Sequence, residues 1–203
     1  MGMNRFPLEQ YASLELNQVG FPKTGMVVSQ TPLGEEFTEE NPCENGMWVL
    51  ADKAVGTIGS AAAATDSPIG IVYTTEKEYD NFHYGLKTFG HQVAGDYPRV
   101  GILGLGDTVT TNCLQYDDSV FQAVTTPGSE KTSDEVLDDY LSALDDTNKA
   151  YVVISTKNGA RACVPEIVKT LPNNYAGIYG RIVKYYTVPN GERGVKYQIV
   201  SLG

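Results

Sequence analysis

Three Asn-Gly dipeptides, Asn45-Gly46, Asn158-Gly159 and Asn190-Gly191, constrain the fold of this chain more than any other feature. The pair suits a two-residue type I′ turn, whose central residues both need positive φ, the region that Asn and Gly tolerate best. Two of the three lie between strand-like runs. Residues 151–155 precede Asn158-Gly159 and residues 160–164 follow it. Residues 182–188 precede Pro189-Asn190-Gly191 and residues 195–200 follow. In that last run Val195, Tyr197 and Ile199 alternate with Lys196 and Gln198, setting an apolar face against a polar one. Both stretches read as antiparallel hairpins.

Short β-branched or aromatic runs bounded by Gly, Pro, Asn or Asp add strands at 25–30, 47–51, 69–74, 100–105 and 109–115. In the last of these Val109, Thr111 and Cys113 share a face, which predicts Cys113 in the core. One helix is well signalled. Thr132-Ser133-Asp134-Glu135 fits a capping box, and Val136, Leu137, Tyr140, Leu141 and Leu144 recur at helical spacing. Asp138, Asp139, Ser142 and Asp145 are then predicted to face solvent. A weaker helix over 76–89 aligns Tyr79, Phe82, His83 and Leu86 around Gly85, and Pro165 opens a helical turn through Lys169. The expected fold is mainly β: a small β-barrel or sandwich with antiparallel hairpins, plus one or two short helices.

The 203 residues suffice for a real core, and no apolar run reaches the roughly 18 residues of a membrane helix. The first residues hold no apolar signal-peptide run, so synthesis in a cytoplasm is expected. Fifteen basic against 25 acidic residues give −10, which argues against direct nucleic-acid binding and serves solubility. Half of that charge lies in 130–149, with seven acids and two bases. Cys43, Cys113 and Cys163 are an odd number without a Cys-x-x-Cys pair, which reads as buried thiols and not as a zinc site or disulfide scaffold.

Catalytic patterns fail on inspection. Gly101-Ile102-Leu103-Gly104-Leu105-Gly106 reverses the gaps of the dinucleotide fingerprint, and Asp107 to Thr110 continues as strand. Ser60 lies in a small-residue stretch and not in a Gly-x-Ser-x-Gly elbow. His83 and His91 read as structural histidines of an aromatic segment. Asp117-Asp118, Asp138-Asp139 and Asp145-Asp146 lack calcium-loop spacing and read as solvated acids. The expectation is therefore no enzyme, with no catalytic, cofactor-binding or metal residues.

Residues 1–24 differ from the rest. Pro7, Gly20 and Pro22 interrupt them, and Phe6, Leu8, Tyr11, Leu14, Leu16 and Phe21 follow no clear period. They read either as a first loop lying over the protein's own core or as an extended N-terminal arm ahead of a single β-rich domain, 25–203, divisible near 125–130. Phe6, Leu8, Tyr11, Leu14 and Phe21 are the expected partner-docking residues.

One stretch has a familiar pattern. Gly25-Met26-Val27-Val28, an acidic loop to Glu44, Asn45-Gly46-Met47-Trp48-Val49-Leu50-Ala51-Asp52, a Gly/Ala-rich loop, and Pro68-Ile69-Gly70-Ile71-Val72 follow one another. This run resembles the lambda-type head decoration proteins of tailed bacteriophages, over about a quarter of the chain. The resemblance implies a virion structural protein that binds the outside of an assembled capsid and cements it. Its partner would be the major capsid protein, its own state a homo-oligomer, by analogy a trimer, and its place the capsid exterior. The acidic helix and the two C-terminal hairpins have no counterpart in the pattern. Composition also suits a tail, neck or fibre-associated virion protein. A non-enzymatic glycan-binding module using Tyr79, Phe82, Tyr84 and Phe89 is the reading from a different class.

Overall fold

The computed structural model describes residues 2–8, 12–15, 27–28, 31–52, 56–61, 65–74, 87–88, 92–188 and 191–203. In chain order the strands are β1 (Met3–Arg5), β2 (Ser13–Leu14), β3 (Val27–Val28), β4 (Trp48–Leu50), β5 (Gly59–Ser60), β6 (Ile69–Val72) and β7 (Lys87–Thr88). They continue with β8 (Val100–Ile102), β9 (Thr108–Thr111), β10 (Gln115–Asp117), helix α1 (Ser133–Ser142), β11 (Tyr151–Val153), β12 (Glu166–Val168), β13 (Ile178–Thr187) and β14 (Arg193–Leu202). The nine-stranded sheet has the order β1-β10-β12-β11-β13-β14-β9-β2-β7, and the five-stranded sheet β3-β8-β6-β4-β5. Both orders are open, so of the two expected architectures the sandwich stands and the closed barrel does not.

The hairpin expected between 182–188 and 195–200 forms; Pro189 and Asn190 themselves lie outside the described residues. Gly191 has φ +90°, the Val188 N–H donates to the Glu192 carbonyl at 2.7 Å, and β13 pairs with β14 from Thr187↔Arg193 to Ile178↔Leu202. Each strand carries one bulged residue, Val183 in β13 and Val200 in β14, where the register shifts. The earlier hairpin is corrected. Residues 160–164 are not its return strand; β11 pairs instead with β12, Val152 opposite Ile167. The same finding replaces the helical turn at Pro165. Glu166, Ile167 and Val168 are all buried, and their backbone is used on both sides, antiparallel to β11 and parallel to β10. A helical turn would satisfy neither neighbour. The expected helix over 76–89 lies outside the described residues except for Lys87–Thr88, which is strand.

The run expected as one strand at 109–115 breaks at Asn112. Its Oδ1 accepts the Ser13 N–H at 2.6 Å, and the Leu114 N–H turns back to the Asn112 carbonyl at 2.7 Å. The break has a large effect on shape, because β9 and β10 stand five places apart in the sheet. Flat, at about 4.8 Å per strand, they would be about 24 Å apart. The four residue steps from Thr111 to Gln115 reach at most about 14 Å. The sheet is therefore rolled until β9 and β10 come together, without hydrogen-bonding to each other.

Inside the roll lies the larger core, with Phe6, Trp48, Tyr116, Phe121, Leu137 and Tyr197 among its fully buried members. The smaller sheet reaches it through Trp48, whose Nε1–H donates to the Tyr197 hydroxyl at 2.8 Å with the rings edge to face. A second cluster, including Val49, Val72, Val100 and the three cysteines, fills the other side of that sheet. Two glycines are required by close approach. A Cβ on Gly70 would lie 2.4 Å from Val100 Cγ1 on the paired strand, and Gly46, at φ +94°, has Cys113 Cβ 2.5 Å from its Cβ position. Helix α1 begins as expected: the Thr132 hydroxyl accepts the Glu135 N–H at 3.2 Å, and Glu135 reaches back to the Thr132 N–H at 2.7 Å. No helix among the described residues is long and apolar enough to cross a membrane.

Candidate functional site

The expected docking residues do not stay together. Of the three that are described, Phe6 and Leu14 are fully buried in the protein's own larger core, and Leu8 is 69% exposed. Tyr11 and Phe21 lie outside the described residues. The arm is corrected for the residues that can be seen. β1 pairs with β10 and β2 pairs with β9 and β7, so both are strands of the main sheet and not a detachable extension. Strands of two or three residues are too short to display a period, which is why the segment looked irregular.

Two buried ionic clusters fasten these strands. Glu44 is 1% exposed, and Arg5 grips it with both Nη atoms at 3.0 and 2.9 Å. Arg161 bonds the same carboxylate, and the Ala12 N–H donates to it at 3.0 Å. Arg161 also donates to Asn41 Oδ1 and to the Pro42 carbonyl. Burial alone would raise the Glu44 pKa. The Arg5 hydrogen bonds, the two guanidinium charges and the Ala12 N–H outweigh it and hold the carboxyl below its ordinary value.

The second cluster centres on Arg193, 6% exposed, which bonds Asp134 and Asp138 of α1 and the Phe6 carbonyl and lies over the Phe6 ring. The Tyr116 hydroxyl donates to Asp134 at 2.8 Å. Burial and the neighbouring Asp134 push that phenol up to about 12. This corrects one part of the helix reading. Asp138 is not merely solvated but spent on a buried cation, whereas Asp139 pairs with Lys131 at the surface and Asp145 caps its own turn.

Cys43, Cys113 and Cys163 are free and buried, as expected, and share the second core cluster. Burial raises all three thiols, Cys113 to about 12 and Cys163 to about 11. Among the described residues no group of three His, Cys, Asp or Glu is placed to hold a metal. His83, His91 and the aromatic group Tyr79, Phe82, Tyr84 and Phe89 lie outside the described residues. The Gly101–Gly106 stretch is strand β8 followed by a turn, in which Asp107 Oδ2 accepts the Gly104 N–H at 2.6 Å.

The outer face of the rolled sheet is different in kind. A cleft of about 220 Å³ opens there, lined by Val153, Ile154, Val168, Pro172 and Tyr175, with Lys157 and Glu166 at its polar side. Lys157 donates to Asp117 at 2.7 Å and to Glu166 at 2.6 Å. Burial would raise Asp117, but the hydrogen bonds from Lys157 and Ser119 bring it down to about 2. Beside the cleft Tyr175, Tyr179 and Tyr151 meet edge to face, with centroids 6.4 and 6.1 Å apart. Arg181, Lys184 and Lys196 continue the same face.

Sequence reasoning missed this surface, though a charge count by segment would have found it. Residues 149–203 carry eight basic and two acidic residues, +6, while the preceding 148 carry seven and 23, −16. Comparison with protein-family models, with curated proteins and with solved structures finds no match.

Proposed function

We propose that this chain is a structural protein of a tailed-phage virion that binds the outside of an assembled capsid and stabilises it. The observation that carries the reading is the behaviour of the stretch that resembles head decoration proteins. Its three strand segments, Val27–Val28, Trp48–Leu50 and Ile69–Val72, all enter one antiparallel sheet, with Val100–Ile102 between the first and the last. Two of its three motif glycines, Gly46 and Gly70, stand where a side chain would collide with the packing around them. The pattern therefore reflects a folded unit and not a chance run of small and apolar residues. A mainly β body cross-tied by buried ion pairs also suits a part that must hold shape under load.

The test uses shells built from the major capsid protein encoded in the same genome. Purified full-length protein is mixed with mature empty shells, which are sedimented and imaged by electron microscopy. Regular added density on the outer lattice is the expected result. Bare shells at saturating protein overturn the reading, and density confined to the portal or tail vertex replaces it with the neck or tail assignment.

A further inference from the structure

The central hairpin turns two chemically distinct faces outward and inward. Ile178, Gly180 and Ile182 of β13 and Val195, Tyr197 and Ile199 of β14 are buried on the core side. Alternation then places Tyr179, Arg181, Lys196 and Gln198 on the opposite side. The bulge at Val183 leaves Lys184 there too, opposite Lys196, and the register Tyr151↔Arg181 adds Tyr151 from β11. Val153 pairs with Tyr179, so the cleft belongs to this same face.

Its charge is the reverse of the molecule's. Among the described residues no carboxylate lies within ion-pair distance of Lys184 or Lys196, and the acid of Arg181 is the fully exposed Asp146, 3.8 Å away. Glu15 borders the face beside Tyr186. From these observations we infer that the outer face of β11, β13 and β14 docks an acidic protein surface, with one apolar side chain of that partner entering the adjoining cleft. That the partner is a capsid subunit rests on the proposed function; the chemistry of the face does not.

Three features select a protein over other anions. Bases and sugars are held by stacking on open ring faces. Here Tyr151, Tyr175 and Tyr179 sit edge to face at 72–76°, and the Lys184 ammonium lies over Tyr186, 5.7 Å from its centroid. Those rings pack on one another or on a cation, and the Tyr175 hydroxyl is already engaged by the Ile154 N–H and the Ile178 carbonyl. The cleft, at about 220 Å³ with Val153, Val168, Pro172 and Tyr175 as walls, has the size of one branched or aromatic side chain and is too small for an extended ligand. Finally, the chain carries −10 overall, while Arg181, Lys184 and Lys196 stand together on this one face, so an acidic partner is drawn to it in a set orientation.

The experiment compares the wild type with R181E/K184E/K196E, with T170W (which fills the cleft from its rim), and with K131E, a charge change remote from the face. Far-UV circular dichroism checks that each is folded. Three probes are used: mature shells, immobilised poly-L-glutamate and a single-stranded oligodeoxythymidine. The triple reversal should weaken shell binding at least about tenfold and flatten its salt dependence. T170W should weaken shell binding with the salt dependence kept, and K131E should match the wild type. Wild type that ignores shells yet binds poly-L-glutamate through these cations removes the capsid reading and keeps the acidic-surface inference. Shell binding unchanged in the folded triple variant overturns the inference and leaves the capsid reading. Binding to neither shells nor poly-L-glutamate, or tighter binding to the oligonucleotide than to either, overturns it as well.

Discussion

Replacing Glu44 with Gln removes one negative charge from between two guanidinium groups, and its cost follows from the geometry. The carboxylate accepts from Arg5 twice, from Arg161 and from the Ala12 N–H. An amide keeps a single acceptor oxygen and aims an NH2 at a guanidinium. Breaking a buried pair by removing one partner costs about 3–5 kcal/mol. Arg5 and Arg161 are 30% and 20% exposed and regain some hydration, which lowers the expected loss to about 2–3 kcal/mol. In urea, with a slope of about 2 kcal/mol per molar, the midpoint falls by about 1–1.5 M. The effect has a pH signature. Because the folded Glu44 carboxyl lies below its ordinary value of 4.5, its stabilisation is fully present above that value and is lost as pH falls through the folded pKa. The gap between wild type and E44Q should be constant from pH 6 to 8 and close in acid below about pH 4. Urea titrations at several pH values measure it. A gap under about 0.5 kcal/mol at pH 7, or one that persists unchanged in acid, refutes the reasoning.

Deleting residues 1–24 should yield an unfolded or aggregating product by circular dichroism and size-exclusion chromatography, since it removes Phe6, Leu14, Arg5 and two sheet strands; a folded, monodisperse product would contradict the packing. Asp138→Lys should lower urea stability by about 2–3 kcal/mol by setting a cation against buried Arg193, while Asp139→Lys, at the surface, should change it by less than about 0.5. Native protein at pH 8 should give almost no fast reaction with a thiol reagent and three equivalents once unfolded, because burial holds Cys43, Cys113 and Cys163 in the thiol form. Gly70→Ala should destabilise by about 2 kcal/mol or more through its collision with Val100, measured by thermal melting.

What the sequence revealed depended on the length over which each signal was written. The Asn190-Gly191 hairpin and the capped helix each span ten or more residues, so periodicity and turn chemistry agree and both were legible. The partner of β11 was misjudged because residues 160–164 look like a strand locally, while the Arg161 side chain is committed to Asn41, Pro42 and Glu44 far away in the chain. Nothing near Asp138 announces Arg193, 55 residues on. The basic outer face escaped notice because net charge averages it against an acidic remainder, and because strand alternation assigns faces only once the bulge at Val183 is known. The two buried clusters are built wholly from such distant pairs, and composition does not encode them.

The roll of the large sheet also dictates an order of events during synthesis. Met3 finds its partner at Asp117 and Leu14 at Thr111, so the strands that leave the ribosome first must wait for more than half the chain. At about 5–20 residues per second that wait lasts on the order of 5–20 s, during which Phe6 and Leu14 are exposed apolar side chains. The hairpin of β13 and β14, by contrast, closes locally as soon as it emerges, and β9 and β11 then dock on its two edges. The opening strands are therefore held by residues made about a hundred positions later, whereas the closing hairpin needs only its own sequence.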